Sequence, residues 1–317
     1  GGRSSVTTKT RDHLNMILTG FRGIVLFNEP MSRHTSFKIG GPAEALVFPK
    51  DEEDLSGIIR RACARKVPLF MLGGGTNLLV RDKGIRGIVV SLSSGMAGEC
   101  FRSIVPVKED AGGVYLYTGA GVHLAALLKY TVKNGLSGLE FAAGIPGSLG
   151  GAVVMNAGSW GREMKDLLES VRLIGRDGSI AELPAKGLSL HYRSAHIPGI
   201  AVMGAVLKLQ RGDSEKIGMT IRENLLKKKE TQPVGTPNAG SIFKNPDEIP
   251  AWKLIDSVGM RGASTGKAVV SERHTNFIIN RGGANANEVL SLIRRIGSKV
   301  EREAGVTLEL EVRIVGA

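Results

Sequence analysis

Apolar positions in this chain follow two periods, one near 3.6 residues and one of two. Across residues 51–66, Leu55, Ile58, Ile59, Ala62 and Cys63 recur at i, i+3, i+4, i+7 and i+8, which makes one apolar helical face. Residues 45–48, closed by Pro49, and residues 67–72 read as strands on either side, giving a β-α-β unit. Three consecutive glycines follow directly, and residues 77–80 and 87–92 then read as extended chain. A Rossmann fingerprint would open a helix at this point, so the glycine loop is not of that type. A second unit places a strand at 114–119 and a helix at 122–134, with Leu124, Leu127, Leu128 and Thr131 on one side and Gly135 as its stop. Alternation at 171–174 and 200–209 adds strands to the same lobe.

A third region opens with a basic helix at 215–230 and a turn-rich stretch, TQPVGTPNAG, at 231–240. Residues 288–304 form a helix with Asn287 as its cap, a stripe of Val289, Leu292, Ile293, Ile296 and Val300, and Gly305 as its stop. The last strand, 307–315, alternates: Leu308, Leu310, Val312 and Ile314 share one face, leaving Glu309, Glu311 and Arg313 on the other. No internal repeat or low-complexity tract interrupts the pattern.

Composition narrows the class. At 317 residues the chain can bury a large core and divide into two or three domains. It has no apolar run of about 18 residues that could span a bilayer. Residues 1–10 carry no hydrophobic core region, and Gly1 and Gly2 read as a cloning remnant, so export is not expected. Cys63 and Cys100 have no metal-ligand spacing, and a disulfide between them is not expected. A net charge of +12 asks for an anionic partner. The basic residues are scattered, apart from Lys227, Lys228 and Lys229, and nothing resembles a nucleic-acid recognition module.

Chemistry concentrates in a few segments, each with a plain structural alternative. Gly73, Gly74 and Gly75, with Thr76, Asn77 and Leu78, present a bare backbone that can cradle a pyrophosphate; they could equally form a tight turn. The stretch EFAAGIPGSLGGAVVMNAG, at 140–158, suits close approach of a ligand or of a neighbouring helix. In HYRSA an arginine follows a tyrosine, as a functional pair or a surface stack. GSIFKNP carries hydroxyl, cation and amide, or is a capped turn. Glu311 and Arg313 also fit the wet face of a half-buried strand.

Together, TSFKIGG, GGGTNLLV, GIPGSLGGAVVMNAG, HYRSA, NAGSIFKNP and LELEVRIVG occur in the order seen in the UDP-N-acetylenolpyruvoylglucosamine reductase (MurB) family, which this chain resembles from about residue 35 to residue 316. The resemblance implies an α+β fold: an FAD-binding lobe of the vanillyl-alcohol-oxidase (PCMH) type made of two subdomains, 1–95 and 96–212, and a C-terminal substrate-binding domain, 213–317. It implies non-covalent FAD held by Gly73, Gly74, Gly75, Thr76, Asn77, Leu78, Gly144, Ile145, Pro146, Gly147, Gly150, Gly151 and Ala152. NADPH is the implied reductant and UDP-N-acetylglucosamine enolpyruvate the substrate, in peptidoglycan precursor synthesis. Arg193, Ser241 and Glu311 take the catalytic positions, with Lys229, Asn245, His274 and Arg313 as substrate contacts and no metal. The family divides on an insert carrying a substrate-capping tyrosine. Tyr115, Tyr117, Tyr130 and Tyr192 are the four tyrosines here, none between Arg193 and Lys229, as in the shorter type II branch. Covalent flavin attachment, as in some members of the wider superfamily, would have His34 as its nearest anchor. The expected state is a cytoplasmic monomer without membrane insertion or a nucleic-acid partner. A flavin oxidase on another substrate and a basic surface-binding protein are the competing readings.

Overall fold

The computed structural model describes residues 14–317, so the expected remnant, Gly1 and Gly2, lies outside it. The fold is α+β. Its first sheet runs in the order Ile24–Pro30, Pro42–Phe48, Ile85–Ser91, Leu69–Leu72. The first pair is antiparallel, and Ile85–Ser91 lies parallel between the other two. The helix Glu52–Ala64 makes the crossover. Asp51 caps it by accepting the Asp54 N–H, and Glu52, Glu53 and Asp54 supply negative charge to its first turn. Leu55, Ile58, Ile59 and Ala62 are buried, as the helical period requires.

The second sheet is antiparallel, in the order Ile180–Pro184, Leu168–Ile174, Ala201–Arg211, Gly113–Gly119, Ile104–Asp110. The helix Leu124–Lys133 buries Leu124, Leu127, Leu128 and Thr131 against it. Both sheets feed one apolar cluster that includes Leu46, Val89, Leu116 and Leu207. A bidentate ion pair from Arg172 of the second sheet to Glu52 of the first helix ties them at the surface.

A second apolar cluster forms around the helices Ala251–Ser257 and Ala286–Ala304 and a small meander, Ser264–Thr265, Ala268–Val270 and Ile278–Asn280. Phe37, Ile39 and Leu79 reach into it from the N-terminal third. The strand Arg313–Val315 returns to pair in parallel with Leu78–Val80, directly after the triple glycine. The glycine loop is thereby anchored to the end of the fold.

Two expectations change. The helix Ala286–Ala304 is capped by Asn285, not Asn287: Asn285 and Glu288 form a reciprocal capping box, while the Asn287 amide donates to Asp82 at 3.1 Å. The terminal strand is shorter than its alternation suggested. Only residues 313–315 pair as strand, residue 310 makes one isolated bridge to Phe243, and Leu310 is 39% exposed. The cause is a slip in the ladder, because the Glu311 and Val312 amides both donate to the Ile242 carbonyl, at 2.9 and 3.3 Å. Two residues opposite one bend the strand and re-aim its side chains, as bulges do.

Candidate active site

The two glycine-rich segments face one another. A Cβ on Gly74 would lie 2.5 Å from Gly147 Cα, and Thr76 Oγ1 donates to the Pro146 carbonyl at 3.2 Å. Gly75 has φ +66°, and a Cβ there would overlap the His34 carbonyl oxygen. Close packing therefore explains part of the glycine content. It leaves the amides unexplained: among the described residues, no backbone N–H from 73 to 77 donates to a protein acceptor. Unpaired amides of this kind, on residues that line an open cleft, can form an anion cradle.

That cleft has a volume of about 510 Å³. It is lined by residues 73–78, 144–147 and 150–152, all the positions expected to hold the flavin, and by Ser148. Arg193, Ser241, Glu311 and Arg313 line the same cleft. Segments more than 230 residues apart converge through Asn77, whose Nδ2 donates to the Glu311 carbonyl at 3.1 Å and whose carbonyl accepts the Arg313 N–H at 3.1 Å. Ser36 adds a second stitch. Its N–H donates to the Gly75 carbonyl at 3.0 Å and its hydroxyl to the Asn238 carbonyl at 2.6 Å, joining the glycine loop to the segment that leads into Ser241.

Arg193 sits in the tight turn between Ser189–His191 and Ser194–His196, at φ +55°. A non-glycine residue in this region costs roughly 1–2 kcal/mol. The strained backbone carries a guanidinium whose Nε donates to Glu311 Oε1 at 3.1 Å and whose second arm donates to the Gly158 carbonyl at 3.0 Å. It also lies 4.8 Å from the Tyr192 ring centroid, so the stack and the cleft contact coexist. Glu311 is pulled two ways. Burial raises its carboxyl above the ordinary range, Arg193 and Lys244 pull it down, and burial prevails.

The four expected substrate contacts divide. Arg313 lines the cleft; Lys229, Asn245 and His274 do not. Asn245 Oδ1 instead accepts the Ala251 N–H at 3.1 Å, at the start of a short helix. His274 packs edge-on against Phe277, 4.9 Å between centroids, and burial lowers its pKa. Lys229 is exposed, whereas Lys228, one residue earlier, is 7% exposed and lines the cleft. Burial, with Arg193 nearby, lowers the Lys228 pKa to about 8. The signal for it was present: Ile217, Ile221, Asn224 and Lys228 follow helical spacing on the inward face of Ser214–Thr231. His34 does not line the cleft; its Nε2 bonds Glu29 Oε1 at 2.9 Å.

Residues 43–184 match the family model described as an FAD binding domain, and residues 232–315 match that of the UDP-N-acetylenolpyruvoylglucosamine reductase C-terminal domain. Fold and cleft thus define an FAD-dependent oxidoreductase. UDP-N-acetylenolpyruvoylglucosamine reductase of Geobacter metallireducens is 44% identical over 296 residues, 93% of this chain and 95% of that one. The reductase of Heliobacterium modesticaldum is 42% identical over 96% and 94%. A crystal structure of the Thermus caldophilus reductase superposes with a TM-score of 0.77 at 36% identity, over 93% of this chain and 99% of the other. The chain belongs to the UDP-N-acetylenolpyruvoylglucosamine reductase family.

Proposed function

We propose that the protein reduces UDP-N-acetylglucosamine enolpyruvate to UDP-N-acetylmuramate with NADPH as electron source, acting as a cytoplasmic monomer in peptidoglycan precursor synthesis. The reading rests on one observation: Arg193, Ser241 and Glu311 line a single cleft with the unpaired amides of residues 73–77. Those amides, with the 144–152 segment, suit FAD and its pyrophosphate. FAD, when bound, supplies hydride chemistry between NADPH and the enolpyruvyl group. The division into subdomains 1–95 and 96–212 and a substrate domain 213–317 belongs to the same proposal.

Hydride arrival at the substrate's methylene carbon drives electrons toward the carbon bearing the carboxylate, giving an enolate-like species. Arg193 meets the growing negative charge with a fixed cation. Glu311, with its raised pKa, is available as a neutral donor to the same oxygens. Donors of this type commonly contribute about 3–4 kcal/mol each to the transition state. Ser241 then protonates the carbon, which is a far stronger base than water. Lys228 and Arg313 supply cations for the diphosphate, Lys228 in place of Lys229.

The test is anaerobic stopped-flow of flavin colour, first with NADPH and then with the enolpyruvyl nucleotide. Ser241→Ala is expected to bleach normally with NADPH and regain colour slowly with the nucleotide. Equal loss of both half-reactions, or colour recovered with an unrelated alcohol-derived substrate instead, would contradict the reading.

A further inference from the structure

The residues around Ser241 are held from both edges. Ile242 and Phe243 are 1% and 3% exposed. On one edge they meet the terminal segment: the Ile242 carbonyl accepts the Glu311 N–H, Phe243 bridges Leu310, and the Lys244 N–H donates to the Glu309 carbonyl at 2.8 Å. On the other edge stands a single side chain, Asn276, 2% exposed. Its Nδ2 donates to the Phe243 carbonyl at 2.8 Å, its Oδ1 accepts the Phe243 N–H at 2.9 Å, and its own carbonyl accepts the Ile242 N–H at 2.9 Å. The amide thus takes the place of a neighbouring strand on an edge where, among the described residues, no strand pairs. Thr275 braces this loop in turn by donating to the Trp252 carbonyl at 2.5 Å.

We propose that Asn276 is a positioning residue: its amide fixes Ile242 and Phe243 so that Ser241 and Glu311 present their protons to one point in the cleft. The proposal rests on the roles given to Ser241 and Glu311 above. An amide of this length offers a donor to the carbonyl and an acceptor to the N–H of one residue, Phe243. Aspartate keeps the acceptor and loses the donor, and it sets a carboxylate oxygen against the Phe243 carbonyl. Alanine loses both and leaves two buried backbone groups without partners. Either change frees the 241–243 backbone while leaving the glycine loops untouched.

The experiment uses the full chain with FAD bound, as Asn276→Asp and Asn276→Ala, each alone and combined with Ser241→Ala. Flavin content, bleaching by NADPH and anaerobic re-oxidation by the enolpyruvyl nucleotide are measured for all. Flavin content and bleaching are expected to stay at the parent values, with re-oxidation slowed on the order of 10²-fold, the scale of a misplaced catalytic group. In the Ser241→Ala background Asn276→Asp is expected to slow re-oxidation by much less than in the parent, because one of the two groups it positions is gone. Asn276→Asp is nearly isosteric, so it reports even where Asn276→Ala fails to fold. Unchanged re-oxidation, equal loss in both half-reactions, or a full multiplicative loss on top of Ser241→Ala would overturn the proposal. Normal re-oxidation by Ser241→Ala alone would instead remove the serine assignment, and the positioning role with it.

Discussion

Lys228 shows how much one position within a run of identical residues matters. Its stem packs against Gly144 and its ammonium reaches the cleft, whereas Lys227 and Lys229 face outward. Because the Lys228 pKa is lowered to about 8, the cation is present below that pH and lost above it. The KM for the nucleotide is therefore expected to rise as pH climbs through about 8, and to stay flat in Lys228→Arg, whose guanidinium keeps its charge. Lys228→Gln should raise KM roughly tenfold or more at lower pH, as expected for losing a charged hydrogen bond. The donor role proposed for Glu311 titrates in the same direction and belongs to a different step. Its carboxyl is raised by burial, so its neutral form persists to higher pH than in an ordinary glutamate, and re-oxidation should slow as pH rises through that elevated value. Steady-state KM and single-turnover rates against pH separate the two.

Element ends carry the joints between the two halves. Asp82, just after Leu78–Val80, accepts the Ala286 and Asn287 N–H groups at 2.8 and 3.1 Å, so a carboxylate from one half completes the helix start of the other. Asp82→Ala is expected to cost about 1–2 kcal/mol in denaturant unfolding. The elements themselves were largely legible, because the 3.6-residue stripes of 51–66, 122–134 and 288–304 and the short alternating runs dominate local energetics. What sequence patterning misses is tertiary. The Asn285-x-x-Glu288 box was readable, yet Asn287 also fits a cap until Asp82 is seen bonding it. The bulge at Glu311 arises from a partner, Ile242, about 70 residues away. Arg193 stood out from its residues only as a functional pair or a surface stack and took its catalytic role from the family resemblance, since nothing in HYRSA announces a left-handed arginine. Lys228 could have been separated from Lys229 by continuing the inward stripe of its own helix.

At the scale of the molecule, the cleft lies where the two apolar clusters meet, crossed by the Asn77 and Ser36 contacts. The chain carries a net charge of +12, and the proposed nucleotide brings a diphosphate and a carboxylate. Long-range attraction should therefore speed encounter and fade with salt, since screening falls to about 8 Å at 0.15 M ionic strength. The kcat/KM for the nucleotide is expected to fall as ionic strength rises, with kcat little changed; a salt-independent kcat/KM would rule out long-range steering. Among the described residues no helix is long and apolar enough to cross a membrane.

Asn77 and Glu311 are 234 positions apart yet share a hydrogen bond. During translation at about 5–20 residues per second, the triple glycine leaves the ribosome on the order of tens of seconds before the partner that steadies it. A nascent chain halted short of Glu311 carries the glycine loop without the far wall of its cleft. If that wall is needed for stable capture of the yellow cofactor, capture follows synthesis of the final strand and arrested fragments are expected to emerge colourless.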